Sequence, residues 1–259
     1  MDKQNLREKV WDALEASGAA RFPFPPHGRI PNFAGADEAA DRLAEQPEWQ
    51  QAKTVKANPD APQLPVRRRA LREEKTLYMA QPRLKDEKPF LELDPAEVSD
   101  IDEATTVSGV SKHGIPVGPD EMPEIDLIVS GSVAVTTEGT RIGKGEGYSD
   151  LEFAVLRELD LVDDNTPTAS TVHEIQVIEK APEPDAHDVP MDLIVTPDKG
   201  GCNCLPLIAC ADQRSAVRDY NRPYEHVIRT ETEGKPTGID RSLLSEERIE
   251  EIPVLDRIR

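Results

Sequence analysis

The sequence predicts an α/β fold: a three-layer, Rossmann-like open sheet, mostly parallel, with helices on both faces. Three observations predict it. Short apolar runs such as Leu127-Ile128-Val129 and Leu193-Ile194-Val195 read as buried strands. Stretches of helical spacing lie between such runs, so strand and helix alternate along the chain. Residues 141–150, RIGKGEGYSD, form a glycine-rich loop entering a helix, and sheets of this class hold ligands at the carboxyl ends of their strands.

The elements follow in order. Leu6, Val10, Trp11 and Leu14 recur at helical spacing over 5–17, and Gly18 ends the run. The next stretch, 22–31, reads FPFPPHGRIP; its four prolines forbid regular helix or central strand, so it is expected to pack by its aromatics. Residues 37–45 read as a short helix and 54–56 as a strand. A helix over 65–74 has proline in its first turn, and its Arg67-Arg68-Arg69 run reads as a solvated face, with a phosphate contact as the alternative. Residues 76–80 form a strand. Residues 125–137 read as a buried strand with a turn, and 151–162 as a helix with Leu151, Ala154, Val155 and Leu159 on one face. Strands over 168–177, 191–196 and 226–230 and a short helix over 243–249 complete the pattern.

A chain of 259 residues can bury a sizeable core, mostly aliphatic here because only 4% of residues are aromatic. It reads as a single domain over 1–259 with a loop insertion at 199–225. Fifty acidic residues against 31 basic give a net charge of −19, which opposes a nucleic-acid partner and leaves room for a local basic pocket. The same surplus suggests a halophilic-type protein whose acidic surface stays hydrated in salt. No apolar run spans a bilayer, and the charged first helix is no signal peptide. Cys202, Cys204 and Cys210 cluster within the insertion and make no secreted disulfide framework, so a cytoplasmic protein is expected. Zinc would need a fourth ligand, for which His226 is the nearest residue, and a plain loop is the stronger reading.

The glycine loop carries the chemistry. Gly143, Gly145 and Gly147 alternate, letting backbone amides approach an anion, and Tyr148 begins a helix whose N-terminus adds positive partial charge. Arg141 and Lys144 add formal charge, and Asp150 in the first turn is placed to cap the helix or hold a metal ion. The order is neither the Walker nor the Rossmann one. Spacing alone leaves a tight turn with a capping aspartate as an equal alternative.

This segment resembles the signature of the 5-formyltetrahydrofolate cyclo-ligase family at Arg141, Gly143, Gly145, Gly147, Tyr148 and Asp150. Lys3 and Arg7, one turn apart on the first helix, match its opening Lys and Arg. His187-Asp188, followed by Asp192 before a strand, is similar to its His-Asp pair. FPFPPHGRIPNFAGAD, VSGSVAV and the closing EIPVLDRIR resemble the branch of methenyltetrahydrofolate synthetase domain-containing proteins. The resemblance covers about 1–198 and 226–259. Vertebrate members of that branch carry a following RNA recognition motif; no such sequence occurs within these residues.

The resemblance implies a fold of the NagB/RpiA/CoA-transferase type and an ATP- and Mg²⁺-dependent closure of 5-formyltetrahydrofolate to 5,10-methenyltetrahydrofolate. It implies Lys3, Arg7, Arg141, Gly143, Lys144, Gly145, Gly147 and Tyr148 as the ATP-binding set. Lys144 and Tyr148 would be its catalytic members, and Asp150 and Asp188 the metal ligands. Partners would be a reduced folate and ATP, with no membrane or nucleic acid. Two positions depart from the family pattern: Glu146 stands where a basic residue is usual, and Ser149 where a second aromatic is. They support a second reading, a non-catalytic nucleotide- or folate-binding protein of the same fold. The family's folate-contacting glutamate has no counterpart by motif; His173-Glu174 is a polar pair in that region, read at the end of a strand.

Overall fold

The computed structural model of the protein describes residues 2–197, 226–232 and 234–257. The expected insertion at 199–225, with Cys202, Cys204 and Cys210, lies outside the described residues. In chain order the first elements are α1 (Lys3–Ala16), β1 (Ala20–Arg21), β2 (Asn32–Phe33), α2 (Ala36–Ala44), α3 (Pro47–Gln51), β3 (Thr54–Ala57), α4 (Leu64–Arg72) and β4 (Thr76–Ala80). Next come β5 (Phe90–Leu93), α5 (Ile101–Ala104), α6 (Val107–His113), β6 (Ile115–Val117), β7 (Leu127–Val129), β8 (Ala134–Thr136) and β9 (Arg141–Ile142). The last are α7 (Tyr148–Glu158), β10 (Thr168–Thr171), β11 (Val177–Ile178), β12 (Leu193–Val195), β13 (Val227–Arg229), α8 (Glu246–Glu250) and α9 (Val254–Arg257).

Eight strands form the main sheet in the order β13-β12-β10-β7-β3-β4-β5-β6. The five central strands from β12 to β4 are mutually parallel, while β13 and β5 flank them antiparallel and β6 pairs antiparallel with β5 at the edge. Alternation of side chains along each strand divides the core. Val55, Ala57, Leu127, Val129, Leu193 and Val195 meet α2 to α6 on one face. Tyr78, Ile128 and Ile194 meet α7 and the C-terminal residues Ile252, Val254 and Leu255 on the other. The expected three-layer, mostly parallel architecture is therefore present.

Two expected runs each form two strands, the first dividing at its expected turn. The run 125–137 leaves the main sheet after β7, crosses Ser130-Gly131-Ser132 and re-pairs as β8. The run 168–177 does the same: β10 ends at Thr171, His173 caps a 3-10 turn over Glu174–Gln176, and β11 follows. β8 and β11 pair in parallel, as β7 and β10 do, with β9 completing a small three-stranded sheet. The breaks are built into the side chains. Gln176 Nε2 donates to Ser132 O at 2.8 Å, and Ser170 Oγ to Ser130 O at 2.8 Å, so side chains replace the missing ladder bonds. Helix α1 packs Leu6, Val10, Trp11 and Leu14 on this small sheet.

Two further expectations are corrected. The proline-rich stretch does not pack by its aromatics: Phe22 is 78% and Phe24 58% exposed, in a segment turned by two cis X-Pro bonds. The Arg67-Arg68-Arg69 run is not uniformly a solvated face. Arg67 is 1% exposed and donates to the carbonyls of Thr105, Asn58 and Asp60, joining α4 to the end of β3; Arg68 and Arg69 pair with surface acids. Burial draws the Arg67 pKa down to about 9.

Candidate functional site

The carboxyl ends of β3 and β7 lead into Asn58-Pro59-Asp60 and Ser130-Gly131-Ser132, and the glycine loop lies over them. Ser149, in the first turn of α7, reaches Ser130 Oγ at 3.3 Å and Asn58 Oδ1 at 3.5 Å, seating that helix on the strand ends. Deeper down, Lys56 of β3 forms a buried ion pair with Glu152 of α7. Gly145 and Gly147 have φ of +108° and +69°, values that favour glycine. Gly147 is the N-cap of α7 and supplies no side-chain bond, so the first-turn amides stay available to an anion.

Arg7 enters this loop from α1, its Nε donating to Gly143 O at 2.7 Å. Its guanidinium lies 3.3 Å from where a Cβ on Gly145 would stand. Lys3 does not join it. Its Nζ binds Asp185 Oδ2 and Asp188 Oδ2, each at 2.6 Å, on a separate turn beside the loop. Burial alone would lower the Lys3 pKa, but the two carboxylates outweigh it and hold it raised. The two residues, one helical turn apart, thus serve different segments.

Arg141 and Asp150, expected to bind phosphate and metal, are given to each other. Arg141 Nη2 contacts Asp150 Oδ1 at 2.5 Å and Oδ2 at 2.6 Å, and Val189 N–H adds a bond to Oδ1 at 3.1 Å. Arg141 Nη1 donates to Gly131 O at 3.2 Å. Both side chains are buried. Both Asp150 oxygens thus already accept hydrogen bonds inside the protein, where the sequence led to the expectation of a metal ligand. Gly143 also has a role beyond admitting an anion: a Cβ there would lie 2.9 Å from Arg141 Nη1.

At the mouth, Lys144 Nζ pairs with Glu146 Oε2 at 2.8 Å, so adjacent loop charges cancel. Tyr148 packs partly against the core. A cleft of about 320 Å³ opens beside it, lined in part by Arg83, Gly145, Glu146 and Arg248. For a divalent cation, the fitting oxygens are those of Asp185 and Asp188, which lie with His187 within 4.8 Å of one another. Asp192 is placed elsewhere, bound by Lys235 Nζ at 2.6 Å.

Several site residues carry no motif. Asp60 and Gln63 follow β3, and their side-chain oxygens lie 3.0 Å from where a Cβ on Gly131 would be. Gln63 Oε1 is buried without a donor among the described residues. Burial raises the Asp60 pKa against the pull of Lys144, Arg67 and Lys56. The one sequence signal for this pair was their place directly after a parallel strand. His173 stands just past the carboxyl end of β10 and caps the turn that follows: its Nδ1 accepts from Ile175 N–H at 3.2 Å, and its ring meets Phe33 edge-on.

Fold and site together define a three-layer α/β protein with a glycine-rich loop at the ends of its parallel strands. A sequence model of the 5-formyltetrahydrofolate cyclo-ligase family matches residues 1–197, and the chain belongs to that family. It is 39% identical over 264 residues to a methenyltetrahydrofolate synthase domain-containing protein of Mus musculus, covering 100% of this chain and 63% of that protein. With the Homo sapiens protein of the same name it shares 34% over 263 residues, covering 100% and 62%. The chain thus spans less than two thirds of the length of these relatives. The NMR structure of Aquifex aeolicus 5,10-methenyltetrahydrofolate synthetase gives a TM-score of 0.47 at 22% identity, covering 86% of this chain and all of that one. No helix among the described residues is long and apolar enough to cross a membrane.

Proposed function

We propose that the protein catalyses the ATP- and Mg²⁺-dependent conversion of 5-formyltetrahydrofolate to 5,10-methenyltetrahydrofolate, in a cytoplasmic, salt-rich setting suited to its acidic surface. The observation that carries the reading is the glycine loop 143–147, uncapped at the start of α7, with Arg7 bonded into it. In this reaction the γ-phosphate passes to the formyl oxygen, N10 attacks the activated carbon, and phosphate departs with ADP as the other product. Such chemistry asks for positioning and charge neutralisation, not a protein nucleophile.

The loop amides, Lys144 and Arg7 hold the phosphates, with Tyr148 beside the reacting groups. Asp188, with Asp185, is the carboxylate set for Mg²⁺, which supplies neutralisation of phosphate charge when bound. Lys3 bridges those two carboxylates and would have to release or share them for Mg²⁺ to be held there. Arg141 and Asp150 fix the floor of the loop and touch neither ligand. The reduced folate, rich in N–H donors, lies over the strand ends, where Gln63 Oε1 lacks a donor among the described residues.

The Lys144–Glu146 pair favours a second reading, a nucleotide or folate binder without turnover, because it removes positive charge where phosphate charge develops. A coupled assay with 5-formyltetrahydrofolate, ATP and Mg²⁺ separates the two. Methenyl absorbance rising with ADP supports the enzyme. Binding of ATP without product supports the second reading, and binding of neither ligand excludes both.

A further inference from the structure

The cations around the glycine loop are mostly spent on carboxylates: Arg141 on Asp150, Lys3 on Asp185 and Asp188, and Lys144 on Glu146. Two guanidinium groups at the loop form no ion pair with a carboxylate among the described residues. One is Arg7, turned to Gly143 O. The other is Arg248, on α8, beyond the residues that the family model matches. Its guanidinium carbon lies 4.6 Å from the centroid of the Tyr148 ring, and Nη2 donates to Glu146 O at 2.5 Å. Its Nε is buried without a hydrogen-bond partner among the described residues.

We propose that Arg248 is an anion-binding member of the loop site, supplied by the C-terminal arm, that contacts the terminal phosphates of a nucleoside triphosphate. The inference rests on the ATP reading above. Two contacts hold the guanidinium in a set plane before any ligand arrives: the Tyr148 ring beneath it and the Glu146 carbonyl beside it. That leaves planar donors at the mouth of the loop, the arrangement that favours phosphate oxygens. The arm is anchored for this task by Ile252, Val254 and Leu255, all buried on the α7 side of the sheet. Within the loop, Lys144 and Glu146 cancel, which leaves Arg7 and Arg248 as its guanidinium groups without a carboxylate partner among the described residues; Glu247 and Glu251 also line the cleft, Glu251 paired with Lys85. Arg83 lines the far side of the same cleft.

The test is Mg-ATP titration of the full chain by calorimetry, with Arg248→Gln, Arg248→Lys, Glu146→Gln and the double variant Arg248→Gln/Glu146→Gln. Arg248→Gln weakens binding about tenfold, the factor of one charge-assisted hydrogen bond, and Arg248→Lys recovers part of it. Glu146→Gln frees Lys144 and tightens binding, and in the double variant it restores affinity toward wild type. A merely structural Arg248 predicts instead a loss that goes with a lowered thermal midpoint and that Arg248→Lys does not recover. Unchanged affinity in Arg248→Gln overturns the proposal and leaves the ATP reading standing. A loss with a lowered thermal midpoint and no recovery in Arg248→Lys also overturns it. Absence of Mg-ATP binding by the wild type overturns both.

Discussion

Arg141 and Asp150 meet at the floor of the glycine loop through one guanidinium nitrogen that contacts both carboxylate oxygens, at 2.5 and 2.6 Å. In the linear sequence both belong to a ligand-binding signature. In the fold they close nine residues of chain onto themselves and are buried together. Burial opposes the Arg141 charge, but the field of Asp150 outweighs this and raises its pKa. Asp150→Asn therefore removes one partner of a buried pair, and about 3–5 kcal/mol of stability is expected to go with it. Urea unfolding measures this. Wild-type stability in the variant would return Asp150 to the role of a free ligand.

Lys56 and Glu152 give a second buried pair, joining β3 to α7 below the loop. Lys56→Met leaves an unpaired carboxylate, while Lys56→Met/Glu152→Leu leaves none. The single variant is expected to be less stable than the double by about 1–3 kcal/mol, since isolated buried charge costs more than the pair returns. Denaturant midpoints for the full cycle check it; a double variant no better than the single would mean that water reaches the site.

His173 predicts a pH dependence. Burial lowers its pKa below the ordinary 6.5, against the opposing pull of Glu174 and with a smaller push from Arg21. The unfolded chain then takes up the proton first, so the stabilising effect is complete above pH 6.5 and is lost as pH falls through the lower folded value. Protonation also ends the bond that Nδ1 accepts from Ile175. Thermal midpoints between pH 7.5 and 5 are expected to fall more for wild type than for His173→Asn. Equal slopes would place the acid sensitivity elsewhere.

The net charge of −19 predicts salt dependence of stability. At about 10 mM salt the screening length is about 30 Å and the acidic surface repels itself across the molecule; at about 1 M it is about 3 Å. The thermal midpoint is expected to rise across that range. Full stability at the low end would remove the halophilic reading.

Much of this was legible in the chain. Buried strands show as apolar runs because both faces of a parallel sheet are covered, and Gly145 and Gly147 are needed because their φ values are positive. After β7 the sequence showed a turn but not that the chain re-pairs in a second sheet, and the break after β10 was not legible; side-chain bonds from Ser170 and Gln176 to main-chain carbonyls at these breaks form only in the fold. The burial of Arg67 was hidden for a similar reason, since its three carbonyl partners lie 7 to 38 residues away.

What the sequence by itself determined is the class of fold, the glycine loop and the family, because these depend on periodicity, backbone freedom and local order of residue types. The tertiary structure alone decided which charges remain for a ligand. Ion pairs form between groups that only folding brings together, and they spend Arg141 on Asp150, Lys3 on Asp185 and Asp188, and Lys144 on Glu146. They leave the loop with Arg7 from the first helix and Arg248 from the end of the chain.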